Sequence, residues 1–275
     1  MTIGLVQMES VLRDKQANLS KAAGYLDEAA AKGADLVCFP EMFFCGYSPS
    51  MTGSDYLAMA EEPEGETFRF LSAYARRHRM YVVAPIAAVC SAPGVIYNCA
   101  LVIDRQGALM GTYCKTHLWA GEARTMRAGS EYPVFHMDFG TVGVMICYDG
   151  GFPEVSRILA LNGAELILCP SAFPIQDKDM WDTYFGSRAL ENCCFTAALN
   201  CVGREEGCRM FGNNKVFNPR GHLLAEAPVD EEALLLCTFD LDEAAYHRQN
   251  GVYYLKDRRP DTYGALLRPD YPLGK

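Results

Sequence analysis

Short apolar runs alternate with segments of helical periodicity along most of this chain. Each run has the length of a buried strand, and none reaches the roughly 18 apolar residues of a membrane-spanning helix. Strands that are apolar on both faces need helices to cover their sheet. The alternation therefore predicts the α/β fold class, with helices packed over the sheets.

The predicted elements follow one another without an internal repeat or a low-complexity linker. We expect strands at residues 2–7, 35–39, 81–89, 97–103, 109–114, 141–146, 165–169, 194–199, 210–217 and 234–239. We expect helices at residues 18–32, 64–79, 154–161 and 180–192. From Tyr246 onward the chain is polar and rich in arginine and tyrosine. One domain at residues 1–245 and a C-terminal tail at 246–275 are the predicted organisation.

Charge and targeting signals narrow the class of protein. The 275 residues include 25 basic and 34 acidic side chains, for a net charge of −9, with no run of lysine or arginine. Such a chain is a poor partner for nucleic acid. The N-terminus lacks the basic and apolar regions of a secretory signal. We expect a cytoplasmic protein with neither nucleic-acid nor membrane partners.

The twelve cysteines are mostly expected to be packing residues. Many lie in apolar runs, where a reduced cysteine behaves as a small hydrophobic side chain; these are Cys38, Cys99, Cys169, Cys194 and Cys237. The chain has no Cys-x-x-Cys and no His-Glu-x-x-His segment, so a zinc site has little support. We expect no metal.

One cysteine lies in a different setting. Cys147 ends the apolar run 141–146 and is followed at once by Tyr148, Asp149 and two glycines, after which a helix is expected to start at Pro153. A strand that stops at a tight turn holds one side chain rigidly at the edge of a sheet. A thiol held in this way is a candidate nucleophile, provided that a base or a cation activates it.

Two charged residues at other strand ends are candidate partners for that thiol. Glu41 follows the strand at 35–39, and Lys115 follows the strand at 109–114. A carboxylate can act as general base and later as general acid, and an ammonium group can stabilise an oxyanion. Taken singly, all three residues also fit packing or solvated-loop roles, so residue types and spacing leave catalysis and structure about equally supported.

The segments around the three residues weigh in favour of catalysis. They are Phe39-Pro40-Glu41-Met42, Lys115-Thr116-His117-Leu118, and Ile146-Cys147-Tyr148-Asp149 followed by Phe152-Pro153-Glu154. In order and spacing they closely resemble the three signature segments of the nitrilase superfamily, the carbon–nitrogen hydrolases. The similarity extends from residue 2 to about residue 240 and includes the pair Tyr97-Asn98.

The resemblance implies a fold and a set of roles. The fold would be an α-β-β-α four-layer sandwich that pairs into a homodimer or a higher homo-oligomer, with the tail reaching its partner. Glu41 would be the general base, Lys115 the stabiliser of the tetrahedral intermediate and Cys147 the nucleophile. The backbone N–H of Tyr148 would complete the oxyanion hole, and Glu122 would position the substrate. No metal and no organic cofactor would be needed.

The substrate is expected to be a small amide or N-carbamoyl compound. Nitrilases in the superfamily usually have Cys-Trp-Glu at the nucleophile, whereas this chain has Cys-Tyr-Asp, which is similar to the amidase and carbamoylase branches. Carbamoyl-amino-acid hydrolases often carry arginines where this chain has Gly150 and Gly151, so a carboxylate clamp there is not expected, and Arg124 or Arg204 are the alternatives. Glycine there could leave room for a larger or uncharged acyl group.

Aromatic residues are expected to shape the pocket, and two other functions stay open. Tyr47, Trp119, Phe173 and Trp181 are the candidates for pocket residues, although aromatic side chains near loops are as often packing residues. Nitrile hydrolysis is one alternative function, and a non-catalytic binding scaffold of the same fold is the other. A single cysteine that reacts much faster than the other eleven would favour an enzyme.

Overall fold

The computed structural model describes residues 1–48, 51–90, 92–205, 208–251 and 253–268. Its helices are α1 Lys15–Ala31, α2 Gly53–Met59, α3 Glu66–His78, α4 Pro153–Leu161, α5 Lys178–Asn192 and α6 Asp242–Asn250. Its strands are β1 Thr2–Gln7, β2 Leu36–Cys38, β3 Tyr81–Val89, β4 Ile96–Ile103, β5 Leu109–Cys114, β6 Val134–Met137, β7 Gly140–Val144, β8 Leu166–Ser171, β9 Phe195–Asn200, β10 Val202–Glu205, β11 Cys208–Phe211, β12 Lys215–Phe217, β13 Leu223–Glu226 and β14 Ala233–Thr238.

Two six-stranded mixed sheets form the centre of the molecule. The first has the order β14-β1-β2-β3-β4-β5, and the second has the order β13-β12-β9-β8-β7-β6. The central strands β1, β2 and β3 are parallel, as are β7, β8 and β9, and the outer strands pair antiparallel. A separate hairpin of β10 and β11 lies outside both sheets. The sheets account for the alternating apolar runs of the sequence.

Helices cover the outer face of each sheet, and the two sheets face one another. In β1, Ile3 and Leu5 pack between the sheets, and the buried cluster that they belong to continues across the second sheet to the apolar faces of α4 and α5. Val6 of the same strand packs on the opposite side, with the apolar faces of α1 and α3. Because successive side chains of a strand point to opposite faces, one strand serves both cores. The predicted α/β fold class and its α-β-β-α layering are confirmed.

Most predicted elements are present, with shifts of a few residues at their ends. Helix α1 begins three residues before its predicted start because the Asp14 side chain accepts a hydrogen bond from the Ala17 N–H (2.9 Å) and caps it. It ends before Gly33, as predicted, and Gly33 has a positive φ of 76°. The turn between the predicted strands at 97–103 and 109–114 closes through a hydrogen bond from the Gly107 N–H to the Asp104 carbonyl (2.9 Å).

The strand predicted at 210–217 is wrong. The chain breaks it into β11 and β12, because Gly212 and Asn213 between them both have positive φ angles, of 69° and 61°. Residues in the left-handed region cannot continue a strand. Helix α2 and strands β6, β10 and β13 were also missed, all of them short elements with weak periodicity.

The first element of the C-terminal region, helix α6, packs on the rest of the domain. Ala244 of α6 is buried, and the Arg248 guanidinium donates hydrogen bonds to the carbonyls of Cys193 (3.1 Å) and Ala164 (2.6 Å). Helix α6 therefore spans residue 245, and the domain boundary there stays a prediction. Residues 252 and 269–275 of the predicted tail lie outside the described residues. Within the described ranges, every helix is too short or too polar to cross a lipid bilayer.

Candidate active site

Cys147 lies at a sharp turn just beyond strand β7. Its φ of 50° is in the left-handed region, and a 3-10 turn begins at this residue and ends at Gly151. A non-glycine residue in that region costs of order 1 kcal/mol or more and persists only where surrounding contacts hold it. The turn predicted from the sequence is thus present, with the strain located at the cysteine itself.

The carboxylate of Asp149 holds this turn in place. It is fully buried and accepts hydrogen bonds from the N–H groups of Ile146 (3.0 Å) and His117 (2.9 Å), the Tyr113 hydroxyl (2.7 Å) and the Thr116 hydroxyl (2.9 Å). Burial alone would raise the pKa of Asp149, but the hydrogen bonds outweigh it and hold that pKa below its usual value. The anion therefore joins the turn of the second sheet to the end of β5 in the first.

Helix α5 supports the same turn from the other side. The Arg188 guanidinium donates hydrogen bonds to the carbonyls of Gly150 and Gly151, each at 3.1 Å. A Cβ at Gly150 would lie 3.1 Å from the Phe185 ring, closer than ordinary contact, whereas one at Gly151 would meet the Tyr184 hydroxyl at 3.6 Å. The close packing of Phe185 therefore requires a residue without a side chain at position 150. This corrects the expectation that Gly150 leaves room for an acyl group.

Glu41 and Lys115 meet in the interior, each directly after a strand of the first sheet. The Lys115 Nζ lies 2.8 Å from Glu41 Oε1 and 2.8 Å from Glu122 Oε2, and the side chains of Lys115 and Glu41 are fully buried. The Lys115 N–H donates a backbone hydrogen bond to the Asn98 carbonyl on β4 (2.8 Å). One ammonium group is thus shared between two buried carboxylates.

The Cys147 thiol joins this pair. The thiol is close enough to the Glu41 carboxylate and to Lys115 for each to change its pKa. The Ala172 N–H, which follows β8, donates to Glu41 Oε2 (2.9 Å) and also bonds to the Cys147 sulfur. The structure therefore brings Glu41, Lys115 and Cys147 together from two different sheets, as the sequence predicts, and their catalytic roles stay predictions.

Asn98 is a member of this cluster that the sequence analysis missed as a site residue. Its Nδ2 donates hydrogen bonds to Glu41 Oε1 (2.6 Å) and to Glu122 Oε1 (3.3 Å), and its side chain is fully buried. The Tyr97-Asn98 pair is part of the family resemblance, and this resemblance is the one signal in the sequence that could have identified Asn98 as a site residue. Only the pairing of β4 with β5 reveals that it faces the two carboxylates.

The electrostatics of the cluster keep the proton on the Cys147 sulfur in the resting site and make Glu41 a stronger base than an exposed carboxylate. Burial raises the pKa of Glu41; the Lys115 ammonium opposes this rise and the Glu122 carboxylate adds to it. Burial and then Glu41 raise the pKa of the Cys147 thiol well above its ordinary value. Burial would lower the pKa of Lys115, but its three anionic or ionisable neighbours keep that pKa well above its ordinary value. The resting site therefore holds a neutral thiol, a basic carboxylate and a permanent ammonium group.

A cavity of about 290 Å³ opens above the sulfur. The residues that line it are Tyr47, Trp119, Cys147, Tyr148, Ala172, Phe173, Pro174, Asp177, Met180 and Tyr184. Three of the four aromatic residues expected in the pocket, Tyr47, Trp119 and Phe173, therefore line one cavity with the thiol. Tyr148, expected at the oxyanion hole, lines it as well. Asn200 holds the Phe173 segment through two hydrogen bonds, at 2.7 and 3.0 Å.

Other expected pocket residues lie elsewhere. Trp181 is fully buried and donates a hydrogen bond from Nε1 to the Asn213 carbonyl (3.0 Å), so it is a packing residue. Glu122 lies behind Lys115 and accepts a hydrogen bond from the Trp119 N–H (2.6 Å). Its predicted substrate-positioning role stays a prediction. The described residues that line this cavity include neither Arg124 nor Arg204.

Comparisons with known proteins place this arrangement in a family. A family model described as carbon–nitrogen hydrolase matches residues 2–249. A probable nitrilase from Schizosaccharomyces pombe is 35% identical over 271 residues, which cover 97% of this chain and 98% of that protein. A carbon–nitrogen hydrolase from Helicobacter pylori superposes with a TM-score of 0.89 at 26% identity, covering 98% of each chain.

A second solved structure bears on the cysteine. An amidase from a Nesterenkonia species superposes with a TM-score of 0.82 at 26% identity, covering 97% of both chains. In that structure the active-site cysteine of the amidase carries the acetamide moiety of fluoroacetamide.

The fold and the buried Glu, Lys and Cys cluster define an enzyme class that cleaves carbon–nitrogen bonds through a thiol. This chain belongs to the carbon–nitrogen hydrolase family, the nitrilase superfamily.

Proposed function

We propose that this protein hydrolyses the C–N bond of a small amide or N-carbamoyl compound through a thioester on Cys147. The observation that carries the proposal is the Cys147 thiol, which lines an open cavity and interacts with the buried Glu41 carboxylate. Glu41 is in turn paired with Lys115 at 2.8 Å.

The first half-reaction forms the thioester. Glu41 takes the thiol proton while the sulfur bonds to the substrate carbonyl carbon, whose oxygen becomes an oxyanion. Lys115 and the Tyr148 N–H stabilise that oxyanion, and each such donor is typically worth a factor of ~10²–10³ in rate. The C–N bond then breaks, and the proton on Glu41 passes to the leaving nitrogen, which departs as ammonia or an amine.

The second half-reaction consumes water. Glu41, unprotonated again, takes a proton from a water molecule as its oxygen bonds to the thioester carbon. The C–S bond breaks, the proton returns to the sulfur, and the acid product leaves. The raised pKa of Glu41 suits both directions of transfer, because it makes the carboxylate a stronger base than an exposed one.

Glu122 supports the reaction through Lys115 in this proposal. Its two oxygens accept from Lys115 Nζ at 3.0 and 2.8 Å, and the Trp119 N–H holds one of them. Since an ammonium group on a flexible stem has many rotamers, these contacts hold it in one position, beside Glu41. Glu122 is therefore proposed as a positioning residue.

The lining of the cavity favours a neutral or cationic substrate. Asp177 is the one ionisable carboxylate among the described lining residues, and these include no lysine or arginine. The other lining groups are aromatic or apolar apart from the tyrosine hydroxyls and the thiol. A substrate carboxylate would be desolvated there without a cationic partner, which is costly.

An amide is proposed over a nitrile on two grounds. The segment Cys147-Tyr148-Asp149 is similar to the amidase branch of the family, and the Nesterenkonia relative is an amidase. The Schizosaccharomyces relative is a probable nitrilase, so nitriles belong in the test.

The test is hydrolysis of a panel of small substrates that differ only in the acyl side chain or in the group attacked. We expect ammonia release from neutral and cationic amides or carbamoyl compounds, and much less from carboxylate-bearing amides and from nitriles. Cys147→Ala should abolish release, and Cys194→Ala, which changes an equally buried cysteine remote from the cavity, should retain it.

Each part of the proposal can fail separately. Unchanged release in Cys147→Ala would refute the nucleophile. Release from nitriles alone would refute the amidase assignment, and a preference for anionic amides would refute the argument from the cavity lining. Mass spectrometry of the wild-type chain, quenched in acid during turnover of a good substrate, should detect the acyl group on Cys147, because the thioester is the intermediate that links the two half-reactions.

We also propose that the chain forms a homodimer through its C-terminal region. Exposed apolar side chains on α6 and after it, notably Tyr246, Leu266 and Leu267 (61%, 65% and 87% exposed), would be covered by a partner. Light scattering should give a dimer for the whole chain and a monomer for a chain ending after Asn250, which keeps all of α6. A whole chain that is monomeric at micromolar concentration would contradict this. The cytoplasmic location stays a prediction.

A further inference from the structure

Three cysteine sulfurs cluster on the first sheet, at a site that the proposed reaction does not use. Cys90 directly follows β3, Cys99 lies in β4, and Cys114 ends β5 opposite Cys99 in the ladder. The Cys114 and Cys99 sulfurs are 3.1 Å apart, those of Cys90 and Cys99 are 4.0 Å apart, and all three lie within 4.8 Å of one another. Among the described residues, this is the one group of three or more potential metal ligands so close together.

The spacing of these sulfurs fits coordination of one ion. Metal–thiolate bonds of about 2.3 Å place three sulfurs around a central ion at ~4 Å from one another. The observed separations extend to both sides of this value, and small rotations about the Cα–Cβ bonds would equalise them. All three side chains are cysteine, so the donor set is entirely soft.

The cluster is open to solvent on one side. Cys90 is exposed and Cys99 is buried, with Cys114 between these extremes. A cavity of about 420 Å³ adjoins the cluster; Cys90, Cys114, Arg127 and Glu131 are among its lining residues. An ion can therefore enter from solvent and be held by a buried thiol at its far side.

The three thiols already contact one another through their sulfur atoms. The Cys114 thiol donates to the Cys99 sulfur at 3.1 Å, and the Cys90 thiol donates to the same sulfur at 4.0 Å. The thiolate is the form of cysteine that binds metals. A bound cation would replace the thiol protons of the three cysteines, which pass to solvent as the three metal–sulfur bonds form.

We propose that Cys90, Cys99 and Cys114 form a three-coordinate site for a thiophilic monovalent d¹⁰ cation, with Cu(I) as its reference ion. Zinc fits less well, because it almost always takes four ligands in structural sites and the described residues supply three here. Soft thiolate ligands select Cu(I), zinc and iron–sulfur clusters, and of these Cu(I) is the one that a set of three thiolates suits.

The position of the site relates it to the candidate active site. Cys99 follows Asn98 and Cys114 precedes Lys115, and these two neighbours are joined by a backbone hydrogen bond of 2.8 Å. An ion bound by both cysteines would cross-link β4 to β5 at the place where those strands present Asn98 and Lys115 to Glu41. Occupancy is therefore expected to raise the unfolding temperature of the chain.

The test is anaerobic Cu(I) binding to the fully reduced chain, in competition with a chromophoric Cu(I) chelator. Cys147→Ala is the parent variant, since it removes the thiol that lines the candidate active-site cavity. It should take up one equivalent of Cu(I) per chain, and X-ray absorption should show three sulfur ligands. Adding Cys90→Ser or Cys114→Ser should weaken that affinity by at least roughly 100-fold, given that even outer-shell changes cost metal sites 10–100-fold.

Adding Cys237→Ser is the matched control, because this cysteine lies on β14, away from the cluster, and should leave binding unchanged. Cys90 is exposed, so the Cys90→Ser variant still tests the proposal if the substitution at the less exposed Cys114 prevents folding. Equal Cu(I) uptake with and without Cys90 and Cys114, no uptake by the reduced parent, or tighter binding of Zn²⁺ than of Cu(I) would each overturn the proposal.

Discussion

At the scale of single residues, the main feature of the site is that one ammonium group, on Lys115, pairs with two buried carboxylates. A buried ion pair is costly to assemble, since each charge loses its hydration, and it persists when hydrogen bonds replace the lost water. Here Lys115 donates to Glu41 and Glu122, while Asn98 and two backbone N–H groups satisfy the remaining carboxylate oxygens. The arrangement makes the protonation of Glu41 depend on Glu122.

Glu122→Gln tests that dependence through the pH profile. The Glu122 carboxylate helps to raise the pKa of Glu41, so its neutralisation should lower that pKa. Hydrolysis needs unprotonated Glu41 and is lost as the pH falls through the Glu41 pKa; the acid limb of kcat/KM should therefore move to lower pH in the variant. A drop in kcat of up to roughly 100-fold should accompany it, because Lys115 is less well held.

The exposed Glu62→Gln is the control for this change and should leave the profile as it is. An acid limb in the same place in Glu122→Gln and the wild type would show that Glu122 does not set the Glu41 pKa.

At the scale of elements, the turn after β7 is held by contacts from outside itself. Asp149 accepts from the end of β5 and from its own turn, and Arg188 of α5 bonds to the carbonyls of Gly150 and Gly151. The positive φ of Cys147 is therefore maintained by two neighbouring elements, which fixes the direction of the thiol.

Asp149→Ala should lower the free energy of unfolding by about 2–4 kcal/mol, because it leaves several buried donors without an acceptor. Urea denaturation at neutral pH measures this change. The pKa of Asp149 is lowered by folding, so its contribution is present above the ordinary aspartate pKa of about 3.9 and is lost as the pH falls through the lower native value. The difference between variant and wild type should therefore shrink in strong acid.

Asp257→Ala, at an exposed aspartate, is the comparison and should change the free energy of unfolding by no more than ~0.5 kcal/mol. If Asp149→Ala is equally mild, the turn does not depend on this carboxylate.

At the scale of the whole molecule, the site exists only where the two sheets meet. Glu41 and Lys115 follow strands of the first sheet, and Cys147 follows a strand of the second. Asn214 joins the sheets: its N–H donates to the Gln7 side chain (3.0 Å), its Nδ2 donates to the Leu5 carbonyl (3.2 Å), and its Oδ1 accepts from the Asn200 N–H (2.7 Å). A shift between the sheets would separate the thiol from its base.

Asn214→Ala should therefore reduce both stability and turnover. The lost buried hydrogen bonds should lower the free energy of unfolding by about 1–3 kcal/mol, and kcat should fall because the sheets are less firmly aligned. Urea denaturation and steady-state kinetics on one preparation measure the two effects.

Ile103→Val is the matched comparison, since it removes one methylene in the core under the first sheet and costs about 0.5–1.5 kcal/mol without touching the second sheet. A kcat that falls equally in the two variants would mean that general destabilisation, and not the alignment of the sheets, limits turnover.

The sequence by itself determined the order of most strands and helices, the turn at Cys147 and the identity of Glu41, Lys115 and Cys147 as candidates. These features depend on periodicity and on residues adjacent in the chain, which local patterns record. Local features with weak patterns could not be predicted from it, such as the break at Gly212 and Asn213 inside a predicted strand.

The tertiary structure alone decided which side chains face one another. Lys115 meets Glu41 across 74 residues and the Ala172 N–H meets it across 131, and no local periodicity encodes contacts of that separation. The role of Asn98, the place of Glu122 behind Lys115 and the grouping of three cysteines follow from strand pairing and register. Burial then changes the chemistry of these groups, because the pKa of a carboxyl or a thiol depends on the charges and solvent that packing puts beside it.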